Sequence, residues 1–150
     1  MKERRKARRA TLEIMYQSEV AGIPVARILK DRLFWRGELP EFSLTLLNGV
    51  VSHQDRIDAL IRDSTDNWVL ERMSIVDRNI LRMAIYEMLY EEDIPSTVSV
   101  NEAVELAKVY GTQDSGKFVN GVLGRVVHDM EEEASQSKKE ERREPRTRET

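Results

Sequence analysis

The sequence predicts an all-α fold of about seven helices, on three observations. Apolar residues recur at steps of three and four through most of the chain, the period of a helix that buries one stripe. Only 7 Gly and 4 Pro are present, which leaves few turns to spend and suits helices better than short strands. Hydrophobic residues at 40% and charged residues at 34% fit a water-soluble helical domain with a conventional core.

The first helix is expected from about Glu3 to Ala21. At 100° per residue Arg5, Arg9, Leu12, Tyr16 and Val20 project to one side, and Ala7, Ala10, Ile14 and Ala21 to roughly the opposite one. A single core needs one such face, so the second must meet another helix or a partner protein. Gly22 ends this helix and Pro24 starts the second, Val25 to about Arg36, with Ile28, Leu29 and Leu33 as its inner stripe before Gly37. The third runs from near Pro40 to about Asp63 on Leu47, Val50, Ile57 and Ile61, widened by Phe42 and Leu46. His53 reads as a surface histidine. Asp66 to Arg72 is expected as a short helical turn with Trp68 and Val69 plugging the core.

Ser74 with Asp77 resembles a capping box and opens the fifth helix, to about Glu92. Its Leu81, Ala84, Ile85, Met88 and Leu89 make it the expected centre of the fold. Pro95 stops it, and Ser99 with Glu102 forms a second capping box for a sixth helix that ends at Tyr110, with Gly111 supplying a left-handed turn. A seventh helix starts at Asp114 or Ser115, with Phe118, Val119, Val122, Leu123, Val126 and Val127 as its stripe. Gly116, Gly121 and Gly124 interrupt that stripe. Each costs roughly 1 kcal/mol against Ala in a helix interior, so another backbone or a ligand is expected against them. Beyond Ala134 no apolar residue remains, which predicts one domain over 1–132 and a disordered, charged tail over 133–150.

Several function classes drop out early. No apolar run approaches the roughly 20 residues of a membrane span, and the first twenty residues lack a signal-peptide pattern, so a cytoplasmic protein is expected. The absence of Cys removes thiol nucleophiles, disulfides and Cys-ligated zinc. There is no HExxH, GxSxG or GxGxxG pattern. Gly116 and Gly121 have P-loop spacing, but Val122 stands where Lys is required. No catalytic residue, metal or cofactor is expected.

The positive signals lie at two places. Lys2, Arg4, Arg5, Lys6, Arg8 and Arg9 face only Glu3 across the first nine residues, a basic end hidden by a net charge of −3. Cations at a helix N-terminus oppose the dipole by a few tenths of a kcal/mol each, so this cluster suits an anion better than it suits its own helix. The other place is DSGKF. Ser115, Lys117 and the unpaired N–H groups of a helix start offer a phosphate site, with the ring of Phe118 beside it and Tyr110 a short loop away. Phosphate donors next to stackable rings suit single-stranded nucleic acid. The competing readings are a merely solvated arginine cluster and a capped core helix with Phe118 inside.

RRKARRATLEIMYQ, DRNILRMAIYEM, IPSTVSVNEAVELAKVYG and DSGKFVNGVLGRV, in that order over residues 4 to 127, resemble the NusB family of bacterial transcription antitermination factors. The resemblance implies an all-α fold of two small helical subdomains. It also implies pairing with the ribosomal protein NusE, binding of boxA RNA, and indirect association with RNA polymerase and other Nus factors that limits termination, notably on ribosomal RNA operons. Carried over by motif, the RNA site falls on Arg4, Arg5, Lys6, Arg8, Tyr110, Ser115, Lys117 and Phe118. The NusE-facing surface takes in Tyr16, Val20 and Asp77, while Asp114 sits where its charge opposes bound RNA. Monomer and homodimer are both compatible with the resemblance. Two alternatives stand beside it: a helical protein-interaction module without RNA function, and an RNA-binding accessory domain for an RNA-modification enzyme.

Overall fold

The computed structural model describes residues 2–65 and 70–143, and everything described as secondary structure is helical. Six α-helices and one short 3₁₀ turn take the place of the expected seven. They are α1 (Lys2–Ala21), α2 (Val25–Arg36), α3 (Glu41–Asp63), the 3₁₀ turn (Leu70–Arg72), α4 (Ile75–Tyr90), α5 (Ser96–Tyr110) and α6 (Ser115–Arg143). Only Leu70 of the 3₁₀ turn is buried; its carbonyl and that of Met73 accept hydrogen bonds from Arg78 Nη1, both at 3.1 Å. The expected core plug of Trp68 and Val69 lies outside the described residues. None of the described helices is long and apolar enough to cross a membrane.

The centre is α4. Every side chain from Asn79 to Glu87 is buried, as befits a helix surrounded on all sides. It packs against α1, α3, α5 and α6, while α1 also packs on α2 and α3, and α5 on α6. One cluster of buried residues runs through all of this, from Leu12 and Ile14 through Leu47, Ile61 and Ile85 to Leu123 and Val126. At the α3–α4 contact the backbone of Gly49 lies against the Tyr86 ring, where a Cβ would sit 2.0 Å from a ring carbon. The next turn of α3 is kinked at His53 (φ −116°, ψ 18°). His53 is half-buried and stacks on Tyr90 at 4.0 Å between ring centres, which corrects its reading as a plain surface histidine.

Helix boundaries follow local chemistry at most ends. Gly22 (φ 67°) and Gly37 (φ 82°) close α1 and α2 in the left-handed region that glycine tolerates. The Ser74 side chain accepts from Asp77 N at 3.1 Å and caps α4. Four expectations change. Leu33 is exposed rather than part of the inner stripe of α2, which has no buried residue and leans on its neighbours through half-buried Val25, Ile28 and Leu29. Helix α5 starts at Ser96 behind Pro95, so Ser99 lies inside the helix and is no cap. Gly111 is extended (φ −93°); what it needs is room, since a Cβ there would meet Ser115 Oγ at 2.4 Å. Lastly, α6 continues as an exposed helix through residues 133–143, the first part of the tail expected to be disordered over 133–150; the rest of that tail lies outside the described residues. Glu, Lys, Arg, Gln and Ala there are strong helix formers, so propensity carries on where the apolar stripe stops. Of the α6 glycines, Gly116 faces Lys108 and Val104 of α5, whereas Gly121 and Gly124 face open space.

Candidate nucleic-acid interface

The first half of α1 runs beside the last half of α5, and a groove of about 540 Å³ opens between them. Lys2, Arg5, Lys6 and Arg9, with Glu3, line the α1 wall, Val109 and Tyr110, with Glu105, the α5 wall, and Glu102 lies in the groove between them, so five cations including Arg8 face three carboxylates. Its geometry is set by a buried charge cluster. Arg8 is 3% exposed and forks onto Glu87 of α4, Nε and Nη2 donating to the two carboxylate oxygens at 2.7 and 2.8 Å. Ser99 Oγ donates to the same Glu87 at 2.9 Å. Glu102 accepts from Arg5 Nε at 2.8 Å and lies 3.4 Å from Arg8 Nη1. The two residues read as a capping box, Ser99 and Glu102, are thus spent on holding three helices together.

Arg5 ends up aimed. Its Nε–H is taken by the Glu102 carboxylate, and the terminal nitrogens of this largely exposed, groove-lining side chain are left without a carboxylate partner among the described residues. The hydrogen bond to Glu102, and then its charge, raise the Arg5 pKa further above its ordinary value. Lys6 and Arg9 are exposed and pair with no carboxylate among the described residues. Arg4 turns the other way, donating to Asp93 at 3.0 Å with its guanidinium 5.0 Å from the centre of the Phe42 ring.

The DSGKF turn sits around the end of α5 from this groove. Ser115 is buried, its Oγ accepting from Thr112 N at 2.9 Å, so the hydroxyl closes the α5–α6 turn and is not held out to a ligand. Lys117 and Asp114 are exposed, and Phe118 is half-buried with one side on the core. The structure therefore gathers Arg5, Lys6, Arg8 and Tyr110 at one groove, with Arg8 beneath its surface, and places Ser115, Lys117 and Phe118 past Tyr110, outside the groove lining. Arg4 is outside it too. Carrying the site over by motif left out Arg9, which the helical projection had already set on the same side as Arg5, and reasoning from residues missed the roles of Glu87 and Glu102, whose partners lie 79 and 97 residues away in the chain.

The partner-facing candidates lie at the other end of α1. Tyr16 and Val20 are 43% and 59% exposed, and Asp77 is half-buried in the first turn of α4. Beneath them Glu19 accepts from Arg78, from Asn79 Nδ2 at 3.1 Å and from Arg82 Nη1 at 2.8 Å, and Arg82 forks onto Asp58 at 2.8 and 3.1 Å. Burial, the largest influence, pushes the Glu19 carboxyl up, but the bonds and charges of Arg78, Asn79 and Arg82 together hold it below the usual carboxylate range.

A model of the NusB family matches residues 5–128, which takes in the DSGKF turn and all of the groove lining but Lys2 and Glu3. The chain belongs to the NusB family. It is 44% identical over 133 residues to the transcription antitermination protein NusB of Desulforudis audaxviator, covering 87% of this chain and 96% of that one. Among solved structures it is similar to T. maritima NusB, with a TM-score of 0.74 and 40% identity over 82% of this chain and 89% of the other. It is similar as well to the NusB-family chain in a crystal structure of antitermination factors NusB and NusE in complex with double-stranded RNA. There the TM-score is 0.74 at 25% identity, over 84% of this chain and 96% of that one.

Proposed function

We propose that this NusB-family protein is a transcription antitermination factor that binds boxA RNA together with NusE, without catalysing a reaction. It acts in the cytoplasm, and through that complex it reaches RNA polymerase and the other Nus factors. The observation that carries the reading is the groove: unpaired cations at Lys6 and Arg9, an aimed Arg5, and the ring of Tyr110 on the facing wall. Phosphates lie along α1 and an unpaired base stacks on Tyr110, with Lys117 and Phe118 extending the contact around the end of α5. Arg8 and Ser115 support this surface from below. Tyr16 and Val20, on the same α1 that presents the basic groove, form the NusE-facing side together with Asp77 of α4.

Titration of labelled boxA RNA with and without purified NusE tests the reading. Tighter RNA binding with NusE present is expected, because joining two surfaces raises effective concentration. Affinity should fall with salt at a slope near −0.7 per neutralised phosphate for a single strand. Phe118→Ala should cost about 1–3 kcal/mol of RNA binding if a base stacks on the ring. One observation favours a second reading, a protein-interaction module: Arg4, Arg5 and Arg8 already have internal carboxylate partners. A flat salt response, or Phe118→Ala that lowers thermal stability alone, would decide for it.

A further inference from the structure

We infer that the RNA path does not end at the α1–α5 groove but continues along α1 to the tip of α2, where Trp35 is a stacking platform for an unpaired base. The inference rests on the RNA reading above and extends it. Arg9, Glu13 and Gln17 are spaced by four, so they form one stripe along α1, about 12 Å long. Its first member, Arg9, lines the groove already described. Its last, Gln17, lines a second hollow of about 240 Å³ together with Ile28, Asp31, Arg32, Trp35 and Arg36 of α2. The two sites are thus joined along one stripe of α1, exposed at Arg9 and Gln17 and half-buried at Glu13 between them.

The chemistry at the far end matches that at the near end. Phe34 and Trp35 are 77% and 79% exposed, the barest large apolar side chains among the described residues. They meet edge to face at 5.0 Å and 84°, which braces the Trp35 ring and leaves it open to stacking. Helix α2 carries Arg27, Lys30, Arg32 and Arg36 against Asp31 alone, so its charge is opposite to that of the chain as a whole. Arg27 is neutralised by Asp31 at 3.7 Å, while Arg36 has no carboxylate partner among the described residues. Arg32 Nη1 is shielded from solvent without a hydrogen bond; the Glu13 oxygen at 3.9 Å is too far to make one. Glu13, the one acidic group on the stripe, is thereby faced by a cation. An aromatic face flanked by the exposed, unpaired Arg36 guanidinium, on a helix of net positive charge and continuous with a phosphate-binding wall, fits a polyanion with flat bases better than it fits an apolar protein helix.

The test uses the full chain and three labelled single-stranded RNAs: a boxA core and the same core extended by several adenosines at its 5′ or 3′ end. One extension should tighten binding. Trp35→Ala should abolish that gain, a loss of about fivefold to a hundredfold on the extended RNA, and leave core binding unchanged; Trp35→Phe should keep part of it. Arg36→Gln should reduce the salt slope by about 0.7 on the extended RNA only. No gain from either extension, or a Trp35→Ala variant that binds every RNA normally but loses affinity for purified NusE, overturns the inference and makes the α2 tip a protein surface. Failure of the wild type to bind the core RNA at all would instead remove the reading on which the path is built.

Discussion

Two charge clusters pin α1 to α4, one near each end of α1, and they differ in what they leave facing outward. At the N-terminal end Arg5 and Arg8 are matched by Glu87 and Glu102; at the C-terminal end Arg78 and Arg82 are matched by Glu19 and Asp58. Each cluster sums to zero charge. The first is sealed at Arg8 and Glu87 but hands one arginine, Arg5, to the surface. The second turns its cations inward around a half-buried carboxylate and leaves tyrosine and valine on the surface above it. The same kind of network therefore supports an electropositive groove at one end and an apolar patch at the other. Net charge is not the cause; the direction in which the unpaired donors point is.

The strongest way to break this comparison is to remove one partner from the sealed cluster. Glu87→Ala leaves the buried Arg8 charge with only its 3.4 Å contact to Glu102 and should cost about 3–5 kcal/mol by chemical denaturation. Glu19→Gln should cost less, because solvent reaches the Glu19 carboxyl and screens it. The acid limb of the stability curve sharpens the point. Glu19 has a depressed pKa in the folded state, so its contribution is present above the unfolded value, roughly 4.3, and is lost as pH falls through the folded one. Glu19→Gln should flatten the stability profile in that window; an unchanged profile would show that the cluster contributes nothing there.

The smallest effect expected is the most specific to the groove. Glu102→Gln keeps an acceptor for Arg5 and removes a negative charge from the proposed phosphate path, so RNA should bind a few-fold more tightly at low salt, with the difference fading as salt screens it. Weaker binding would mean that the Glu102 charge matters more for aiming Arg5 than for repelling phosphate. Measuring the melting temperature of the same variant separates either outcome from a loss of fold.

Much of the architecture was legible in the chain. The apolar period located all six helices, Gly22 and Ser74 marked ends that the structure keeps, and the breadth of the apolar surface at Leu81, Ala84 and Ile85 identified the central helix. The errors share a cause. Ser99 and Glu102 have capping-box spacing, yet Pro95 starts the helix a turn earlier and both side chains are taken by distant partners. Leu33 keeps helical spacing with Leu29, but α2 is too lightly covered to bury it. The glycines of α6 suggested a close neighbour at three places, and only Gly116 has one.

Sequence alone determined where the helices run, which stripe the helices other than α2 bury, and that basic residues crowd one end of the chain, because those properties depend on neighbours within a few residues. Only the tertiary structure decided which arginines remain available. Arg5, Arg8 and Arg9 look alike in the sequence; one is aimed, one is sealed and one is free, according to carboxylates on α4 and α5 that lie far along the chain and come near only when the helices pack.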